Sequence, residues 1–499
     1  MAERASRLSR LLPGVPVAQI TGVSLDSRVV RPGGVYAALP GQHTHGARFA
    51  AEAVRRGAIA VLTDAAGAEL IGAGPAGAGV PVVVVDDPRA TLAEVAAAVH
   101  DHPARAMRMF GITGTNGKTS TVFLLEAALA ALGERVGTVG TIGFRLAGKP
   151  IDRSRSTVTT PEAPDLQELL GQLRDAGASS VAMEVSSHAL ALRRVGGIVF
   201  DVAGFTHLGR DHLDFHHDLE SYFAAKAELF LDGRARACVV NTDGDWGRRL
   251  AGLIRAQGTP LLTTGSAAEA DFRLLSADPD ADGRTAVELA TPHGRLAFTV
   301  GMPGSFNVAN ATTAAAMVAA AGLDVAAAVP AFATAAVPGR MQRVDLGPGA
   351  PAAVVDFAHT PEAVAAALAA LPRPRIAVLG AGGDRDPSKR GPMGAAAAAN
   401  AELVVVTDDN PRSEEPAAIR AAVLAGARQG GATEAVDGGD RRAAIALALR
   451  RAGGAGWVAV LGKGHETGQD RAGVISPFDD VAVLRDEWQR LVGGNNERA

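Results

Sequence analysis

A run of nine residues, Gly111-Ile-Thr-Gly-Thr-Asn-Gly-Lys-Thr119, constrains this chain more than any other segment. An apolar, strand-like stretch at 107–112 leads into it, and a helix-forming stretch at 118–132, ended by Gly133, leads out. A strand that passes through a Gly-rich loop into a helix begins a crossover unit, so the sheet it enters is expected to be parallel. The loop also implies a chemistry. Glycines let backbone N–H groups wrap a phosphate, and the helix N-terminus favours its negative charge. Lys118 is placed for the outer phosphates, and the Thr119 hydroxyl for Mg²⁺. The strict phosphate-loop pattern has glycine five residues before Gly117, where this chain has Ile112, so the loop is a variant. A Gly-rich turn with a chance Lys-Thr is the alternative for the same residues.

The alternation continues through the middle third. Residues 180–185, 198–205 and 237–241 read as strands with helices between them, which predicts a mainly parallel sheet covered on both faces. Residues 271–302 alternate in short runs and predict an antiparallel addition. A second α/β series starts near Pro338, with strands at 352–356, 375–379, 403–407 and 457–461 and a helix at 416–428. Ahead of both, 80–86 reads as a buried strand and 87–100 as a helix with Asp87 as its cap and Pro88 at its first position. Asp101-His-Pro103 is a candidate boundary. The Ala-rich tract 393–399 suits a helix interior or a linker, and 478–492 reads as an amphipathic helix. At ~150 residues per domain, the length predicts three α/β domains.

Composition narrows the function classes. Hydrophobic residues make up 47% of the chain and charged ones 20%, enough for packed cores. A net charge of −4 offers no footing for nucleic acid or an anionic membrane surface. A single cysteine, Cys238, excludes an internal disulfide framework and fits a reducing compartment. No leader-like segment opens the sequence, and no apolar run reaches the ~20 residues of a spanning helix, so a cytoplasmic protein is expected. Only five of the 49 basic residues are lysines. Lys118, Lys226, Lys389 and Lys463 lie in motifs, and Lys149 reads as surface. An ammonium is a compact charge whose amine can react, unlike a guanidinium.

Two further clusters follow strand ends, where α/β sheets bind ligands. Glu184, in Met183-Glu-Val-Ser-Ser-His188, and the histidines and aspartates of 206–217 suit Mg²⁺ or another divalent ion, or form a solvated polar loop. The helix beginning near Leu219 carries Lys226. In the last third, Gly382-Gly-Asp-Arg-Asp386 and Asp409-Asn-Pro-Arg412 would share one sheet edge. Arg385 and Arg412 offer forks for carboxylates and Asp409 suits an ammonium, together a match for an amino acid. A turn with Ser413 capping the next helix is a compatible reading.

With these motifs the chain resembles the Mur ligase family. The ordered matches are Leu25-Asp-Ser-Arg28, the loop at 113–119, Thr159-Thr-Pro161, Glu184-Val-Ser-Ser-His188, Arg210-Asp-His-Leu-Asp214, Phe306-Asn-Val-Ala-Asn310, Pro338-Gly-Arg-Met-Gln-Arg343, Asp356-Phe-Ala-His-Thr-Pro361, the two motifs of the last third and Gly462-Lys-Gly-His-Glu466. The resemblance implies a small α/β uridine-nucleotide domain (1–104), a central phosphate-loop ATPase domain (105–337) and a Rossmann-like amino-acid domain (338–499). It implies that Leu25, Ser27, Gln42, His43 and Thr44 meet the uridine part, and Thr159, Thr160, Ser186 and Arg194 the rest of a UDP-muramoyl dipeptide. Thr113, Gly114, Thr115, Asn116, Gly117, Lys118, Thr119, Asn307, Asn310, Arg340 and Asp356 would belong to ATP. Thr119, Glu184, His212 and a carbamylated Lys226 would hold Mg²⁺. Arg385, Asp409, Asn410, Pro411, Arg412, Gly462 and Glu466 would form a diaminopimelate pocket. The sequence departs from the family pattern at His207-Leu-Gly209, where the family has Asn-Leu-Ser or Asn-Leu-Thr, at Leu192 in place of Gln, at Gln342 in place of Glu and at His45 in place of Asp.

The implied activity is an ATP-dependent amide ligase working through an acyl phosphate. It would join diaminopimelate to the D-glutamyl γ-carboxylate of UDP-N-acetylmuramoyl-L-alanyl-D-glutamate, as a monomer. Lys118, Glu184, His212 and Lys226 would serve the chemistry. A sister ligase that adds L-lysine, a folylpolyglutamate synthetase and a non-catalytic ATP-binding sensor of wall precursors are the alternatives. Neither nucleic acid nor a membrane span is expected.

Overall fold

The computed structural model describes residues 2–41, 43–72, 79–151, 159–209, 211, 213–431 and 434–496. They form an α/β protein that gathers into two compact units, 1–272 with 313–328, and 273–312 with 329–499. The first unit holds two sheets. Its smaller sheet is parallel, with strands Gly22–Ser24, Gly34–Ala37, Ala60–Thr63 and Val82–Val84 side by side. The apolar run at 80–86 reads as a buried strand in sequence. It is an edge strand with only Val83 buried and Val84 half exposed, because an apolar run does not reveal which of its faces has a neighbour. The helix Pro88–Val99 starts as expected, with the Asp87 carboxylate accepting from Ala90 N.

In the larger sheet the parallel strands run Val136–Gly140, Ser180–Glu184, Arg108–Thr113, Phe200–Phe205, Ala235–Asn241 and Leu261–Gly265. Arg108–Thr113 lies inside this sheet and is buried beyond its first residue, as the apolar pattern requires. Register then aligns its end with its neighbours' ends, Ile112 against Glu184 and Thr113 against Phe205. The loops after all three strands therefore leave one edge together.

The second unit contains the antiparallel strands Phe272–Pro279, Thr285–Thr291 and Gly294–Val300, as expected from 271–302. Its six-stranded sheet has the order Gln342–Val344, Ala352–Asp356, Trp457–Leu461, Arg375–Leu379, Leu403–Thr407 and Glu434–Gly439. The first strand is antiparallel and the others parallel. The four central strands match their sequence-derived limits. The Ala-rich tract is the interior of helix Arg390–Asn400. Ser413 does not cap helix Pro416–Gln429. Glu415 holds the cap position without a side-chain bond, and Ser413 Oγ donates instead to Asp384 Oδ1 at 2.6 Å. The cap reading failed because Asp384, far away in sequence, competes for the hydroxyl.

Beneath this sheet's carboxyl edge lies a buried ion pair. Arg441 Nε and Nη2 each donate to Asp480 at 2.7 Å, and both side chains are fully buried. Arg441 Nη2 also reaches the Leu461 carbonyl at 3.0 Å, and Nη1 the Asp408 carbonyl at 3.4 Å. One guanidinium thus ties together the ends of two adjoining loops, just before Gly462 and Asp409. Arg441→Met would strand a buried carboxylate and should cost about 3–5 kcal/mol of this unit's stability. Replacing both partners with apolar residues should cost less than either single change. Urea unfolding followed by fluorescence from Trp457 and Trp488 reads it, and a single-variant loss under ~1 kcal/mol would remove the pair from this role.

Candidate active site

The strand Arg108–Thr113 delivers the loop to the sheet edge, and two glycines shape it. Gly114 has φ +149° and Gly117 φ +86°. A Cβ on Gly114 would fall 1.9 Å from Thr206 Oγ1, so only glycine fits beside the segment that leaves the neighbouring strand. That segment holds the loop. Thr115 N donates to the His207 carbonyl at 2.8 Å, Gly209 N to Thr115 Oγ1 at 2.9 Å and Thr206 Oγ1 to the Asn116 carbonyl at 2.6 Å. Lys118 Nζ lies along the loop and donates to the carbonyls of Gly114 and Thr115, both at 2.9 Å.

Glu184 ends its strand almost fully buried. Its Oε1 accepts from Thr119 Oγ1 at 3.0 Å and from Thr141 N at 2.8 Å, and its Oε2 from Thr141 Oγ1 at 3.1 Å. A Cβ on Gly140 would lie 2.2 Å from Oε1, so the carboxylate uses the space that glycine leaves. The residues expected to meet the dipeptide adjoin it. Thr159 Oγ1 is 3.1 Å from Thr141 Oγ1, and Thr160 Oγ1 donates to the Glu184 carbonyl at 2.9 Å. Ser186 Oγ caps helix Ser187–Ala191. Arg194 donates to the Thr160 carbonyl at 3.1 Å and pairs with Glu162 at 2.7 Å.

Lys226 projects from helix Leu219–Ala227 with 1% of its surface exposed. Its Nζ donates to the Gly114 carbonyl at 2.9 Å, the oxygen that also receives Lys118, and lies 4.5 Å from the centre of the Tyr222 ring. Burial holds its pKa well below the ordinary lysine value, and the Lys118 charge lowers it further. The structure thus brings Thr119, Glu184, Lys118 and Lys226 around one loop. His212 and Gln42 lie outside the described residues. Among the described residues no three His, Cys, Asp or Glu side chains gather as a metal cluster.

In the smaller sheet, Leu25 and Ser27 follow the strand Gly22–Ser24. Ser27 Oγ donates to Glu52 Oε2 at 2.9 Å. His43 and Thr44 are exposed on a tight loop whose Thr44 carbonyl accepts from Gly41 N at 3.1 Å.

The remaining candidates belong to the second unit. Asn307 and Asn310 sit on helix Ser305–Ala320, joined by a 3.3 Å bond from Asn310 Nδ2 to Asn307 Oδ1. Asp356 ends its strand and accepts from Met341 N at 2.6 Å and Ala358 N at 2.8 Å. Burial pushes its carboxyl pKa up, while the Arg340 charge and these two N–H groups oppose the shift. The Arg340 guanidinium lies 4.3 Å from the centre of the Phe357 ring. Gly339, at φ +64°, rests so close to the Gly462–Glu466 loop that a Cβ would meet His465 N at 2.0 Å.

Register places the motifs expected to take an amino acid at one edge, with Leu461 beside both Asp356 and Leu379, and Leu379 beside Val406. Arg412 Nη1 donates to the Gly383 carbonyl at 2.6 Å. A Cβ on Gly382 would be 2.9 Å from that same nitrogen and 3.7 Å from Arg385 Cγ, so both arginines flank this glycine. Asp409 is mostly buried, and its Oδ2 would lie 2.5 Å from a Cβ on Gly462. Asn410 Nδ2 donates to Glu466 Oε2 at 2.7 Å, and Pro411 is buried between these groups in sequence. Sequence reasoning left Lys463, Gln469 and Asp470 out of the site. Lys463 Nζ donates to Asn410 Oδ1, and Gln469 Nε2 to the Asp409 carbonyl at 2.6 Å. The rarity of lysine was the one available signal for Lys463. The hairpin Gly468–Arg471 with Val474–Pro477 is polar or exposed along its length and gave none.

Three domain descriptions match the sequence in order. Residues 19–100 match the Mur ligase family catalytic domain, 112–318 the Mur ligase middle domain and 339–464 the Mur ligase glutamate ligase domain. The UDP-N-acetylmuramoyl-L-alanyl-D-glutamate–2,6-diaminopimelate ligases of Streptomyces avermitilis and Streptomyces coelicolor are 45% and 47% identical to it, each over 99% of this chain and 97% of theirs. A solved structure of a ligase of the same name superposes with a TM-score of 0.69 at 31% identity, covering 95% of both chains. Identity of this extent, along nearly the whole length, shows that the chain belongs to the Mur ligase family.

Proposed function

We propose that this chain is the ATP-dependent ligase that adds 2,6-diaminopimelate to the D-glutamyl γ-carboxylate of UDP-N-acetylmuramoyl-L-alanyl-D-glutamate, a step of peptidoglycan synthesis. Its relatives' names describe that reaction. The observation that carries it in this chain is the pairing of Arg385 and Arg412 about Gly382, on the sheet edge that also bears Asp409 and Glu466. Two guanidinium groups with two carboxylates suit an amino acid that has two carboxylates and two ammonium groups. In this reading residues 1–104 take the uridine nucleotide, 105–337 ATP and 338–499 the amino acid. Leu25, Ser27, Gln42, His43 and Thr44, then Thr159, Thr160, Ser186 and Arg194, line the path of the nucleotide substrate. The lone, buried Cys238 supports a reducing compartment, here the cytoplasm, and the protein acts as a monomer. No helix among the described residues is long and apolar enough to cross a membrane.

A carboxylate is a poor electrophile, so its oxygen must first become a leaving group. The γ-carboxylate oxygen attacks the γ-phosphorus of ATP, ADP leaves, and an acyl phosphate forms. The neutral amine of diaminopimelate then adds to the acyl carbon, and phosphate departs as the amide forms. The backbone N–H groups at Gly114 to Thr119 receive the phosphates, and Lys118 exchanges its two carbonyl partners for phosphate oxygens as charge moves in the transfer. Asn307, Asn310, Arg340 and Asp356 hold the remainder of ATP. The Thr119 hydroxyl and Glu184 carboxylate are hard oxygen donors 3.0 Å apart and fit Mg²⁺. The family resemblance assigns His212 to the same ion. Mg²⁺ bound there supplies charge neutralisation for the phosphates. Lys226 fits as a carbamate, since CO₂ adds only to a neutral amine and burial favours that form.

Lys118→Ala should keep the fold and lose roughly 10²- to 10³-fold in rate. Near-normal ligation by the folded variant would remove Lys118 from catalysis. Lys226→Ala should be nearly inactive and recover in part with a small added carboxylic acid. Carbon-13 NMR of the wild type in labelled bicarbonate should show a carbamate carbon, and its absence together with failed rescue would exclude the modification.

Amino-acid choice gives the sharpest test. Lysine lacks one of the two carboxylates and would leave a desolvated guanidinium unpaired, so the wild type should prefer diaminopimelate by up to ~10⁴-fold in kcat/KM. Arg412→Ala should reduce that preference mainly by losing diaminopimelate, because Arg385 remains. Arg412→Lys should restore it only in part, since an ammonium cannot make the paired fork. Equal use of both amino acids by the wild type would sink the assignment.

A further inference from the structure

Lys463 leaves the strand Trp457–Leu461 and is fully buried. A buried ammonium is costly unless each N–H finds an acceptor. Lys463 has three: Asn410 Oδ1 at 3.3 Å, Glu466 Oε2 at 3.2 Å and the Gly468 carbonyl at 2.5 Å. They come from the loop after Leu403–Thr407, from its own loop and from the first residue of the hairpin. Acceptors disposed around one point suit a compact ammonium and not the planar fork of arginine, the cation this chain uses almost everywhere else.

Three consequences follow for the groups assigned to the amino acid. Asn410 Oδ1 receives both Lys463 and Asp470 N, at 2.9 Å for the latter, which fixes the amide with Nδ2 toward Glu466. Glu466 Oε2 is occupied by Lys463 and Asn410, while among the described residues no hydrogen bond is made to Oε1, on a side chain 36% exposed. The hairpin clamps Arg412 as well. Arg412 N donates to the Asp470 carbonyl at 3.0 Å and Ala472 N to the Arg412 carbonyl at 2.7 Å. Those bonds hold Arg412 at φ +51°, a conformation that a side-chain-bearing residue adopts only when its surroundings impose it.

We infer that Lys463 is a positioning residue for the incoming amino acid, acting through Asn410 and Glu466. The inference rests on the amino-acid pocket proposed above. Lys463 touches no reacting atom. It neutralises one oxygen of Glu466, leaves the other for a ligand ammonium, and joins that carboxylate through Asn410 and the hairpin to the backbone of Arg412. The cation-binding and anion-binding ends of the pocket become one preassembled unit, which lowers the ordering cost of binding.

The test is Lys463→Met in the full chain, with each of the three substrates varied in turn. KM for diaminopimelate should rise roughly 10- to 100-fold, the value of charge-assisted hydrogen bonds, while KM for ATP and for the UDP-dipeptide stays within about twofold. The double variant Lys463→Met with Glu466→Gln should be no more than about twofold worse than the worse single variant, because one residue acts through the other. An unchanged KM for the amino acid, an equal rise in all three constants, or fully additive losses would each overturn the inference. If Lys463→Met does not fold, Lys463→Gln is read by the same criteria. Wild-type turnover of lysine in place of diaminopimelate would instead sink the substrate assignment, and the same comparison made with lysine would still decide the role of Lys463.

Discussion

Most of the site loops described here depend on the direction and register of parallel strands. A parallel pair cannot be closed by a tight turn, so each strand returns through a crossover and the loops at one edge all follow strand ends. Side-by-side alignment of Ile112 with Glu184 and of Thr113 with Phe205 then brings three loops, distant in sequence, within hydrogen-bond reach. The second unit repeats the device through Asp356, Leu379 and Leu461. Glycine is required where such loops meet. At Gly114, Gly140 and Gly339 a Cβ would approach another group to 2.2 Å or less, so these positions are set by proximity as much as by turn geometry.

The electrostatics of the two units differ in a way that follows from burial. In the first, two lysines share one carbonyl, and the more buried of them has its pKa pulled down. Among the described residues no carboxylate hydrogen-bonds to Lys226, and burial disfavours its charged form. In the second, two buried cations have each polar hydrogen-bonding group engaged. Arg441 meets Asp480 through two bonds, and Lys463 spends three N–H groups on three acceptors. The first arrangement disfavours the charged amine, and the second holds its ammonium and guanidinium in place. The number of acceptors separates the two.

What the sequence revealed followed physical signal strength. The central strands 352–356, 375–379, 403–407 and 457–461 are short apolar runs between breakers, and burial on both faces gives such runs clear ends. The edge strands Gln342–Val344 and Glu434–Gly439 have one covered face or none, so their residues carry no comparable pattern. The same one-sidedness misled the reading of Val82–Val84 as buried. At the site, Lys118, Thr119 and Lys226 were legible because glycines and rare lysines mark them, and Glu184 because it ends a short apolar run. The hairpin that steadies Arg412 was not, since its contribution is mostly backbone hydrogen bonding, which any residue type can make.

The departures from the family pattern show the same division between side chain and backbone. His207 has an exposed ring, and it is its carbonyl that holds Thr115. Leu192 offers no polar side chain, yet its carbonyl accepts from Arg89 at 3.5 Å, and Arg194 is oriented by Glu162 and the Thr160 carbonyl instead. Where the side chain itself changes, the replacement performs a local task. His45 accepts from Ala47 N at 3.0 Å and reaches Asp64 at 3.1 Å, so it caps its turn as an aspartate there would. Gln342 Oε1 accepts from Gly339 N at 2.8 Å, an acceptor role that a neutral amide fills as well as a carboxylate. Each change therefore falls where the fold needs a shape or one acceptor, and the charged residues proposed to meet the phosphates and the amino acid are not among the departures.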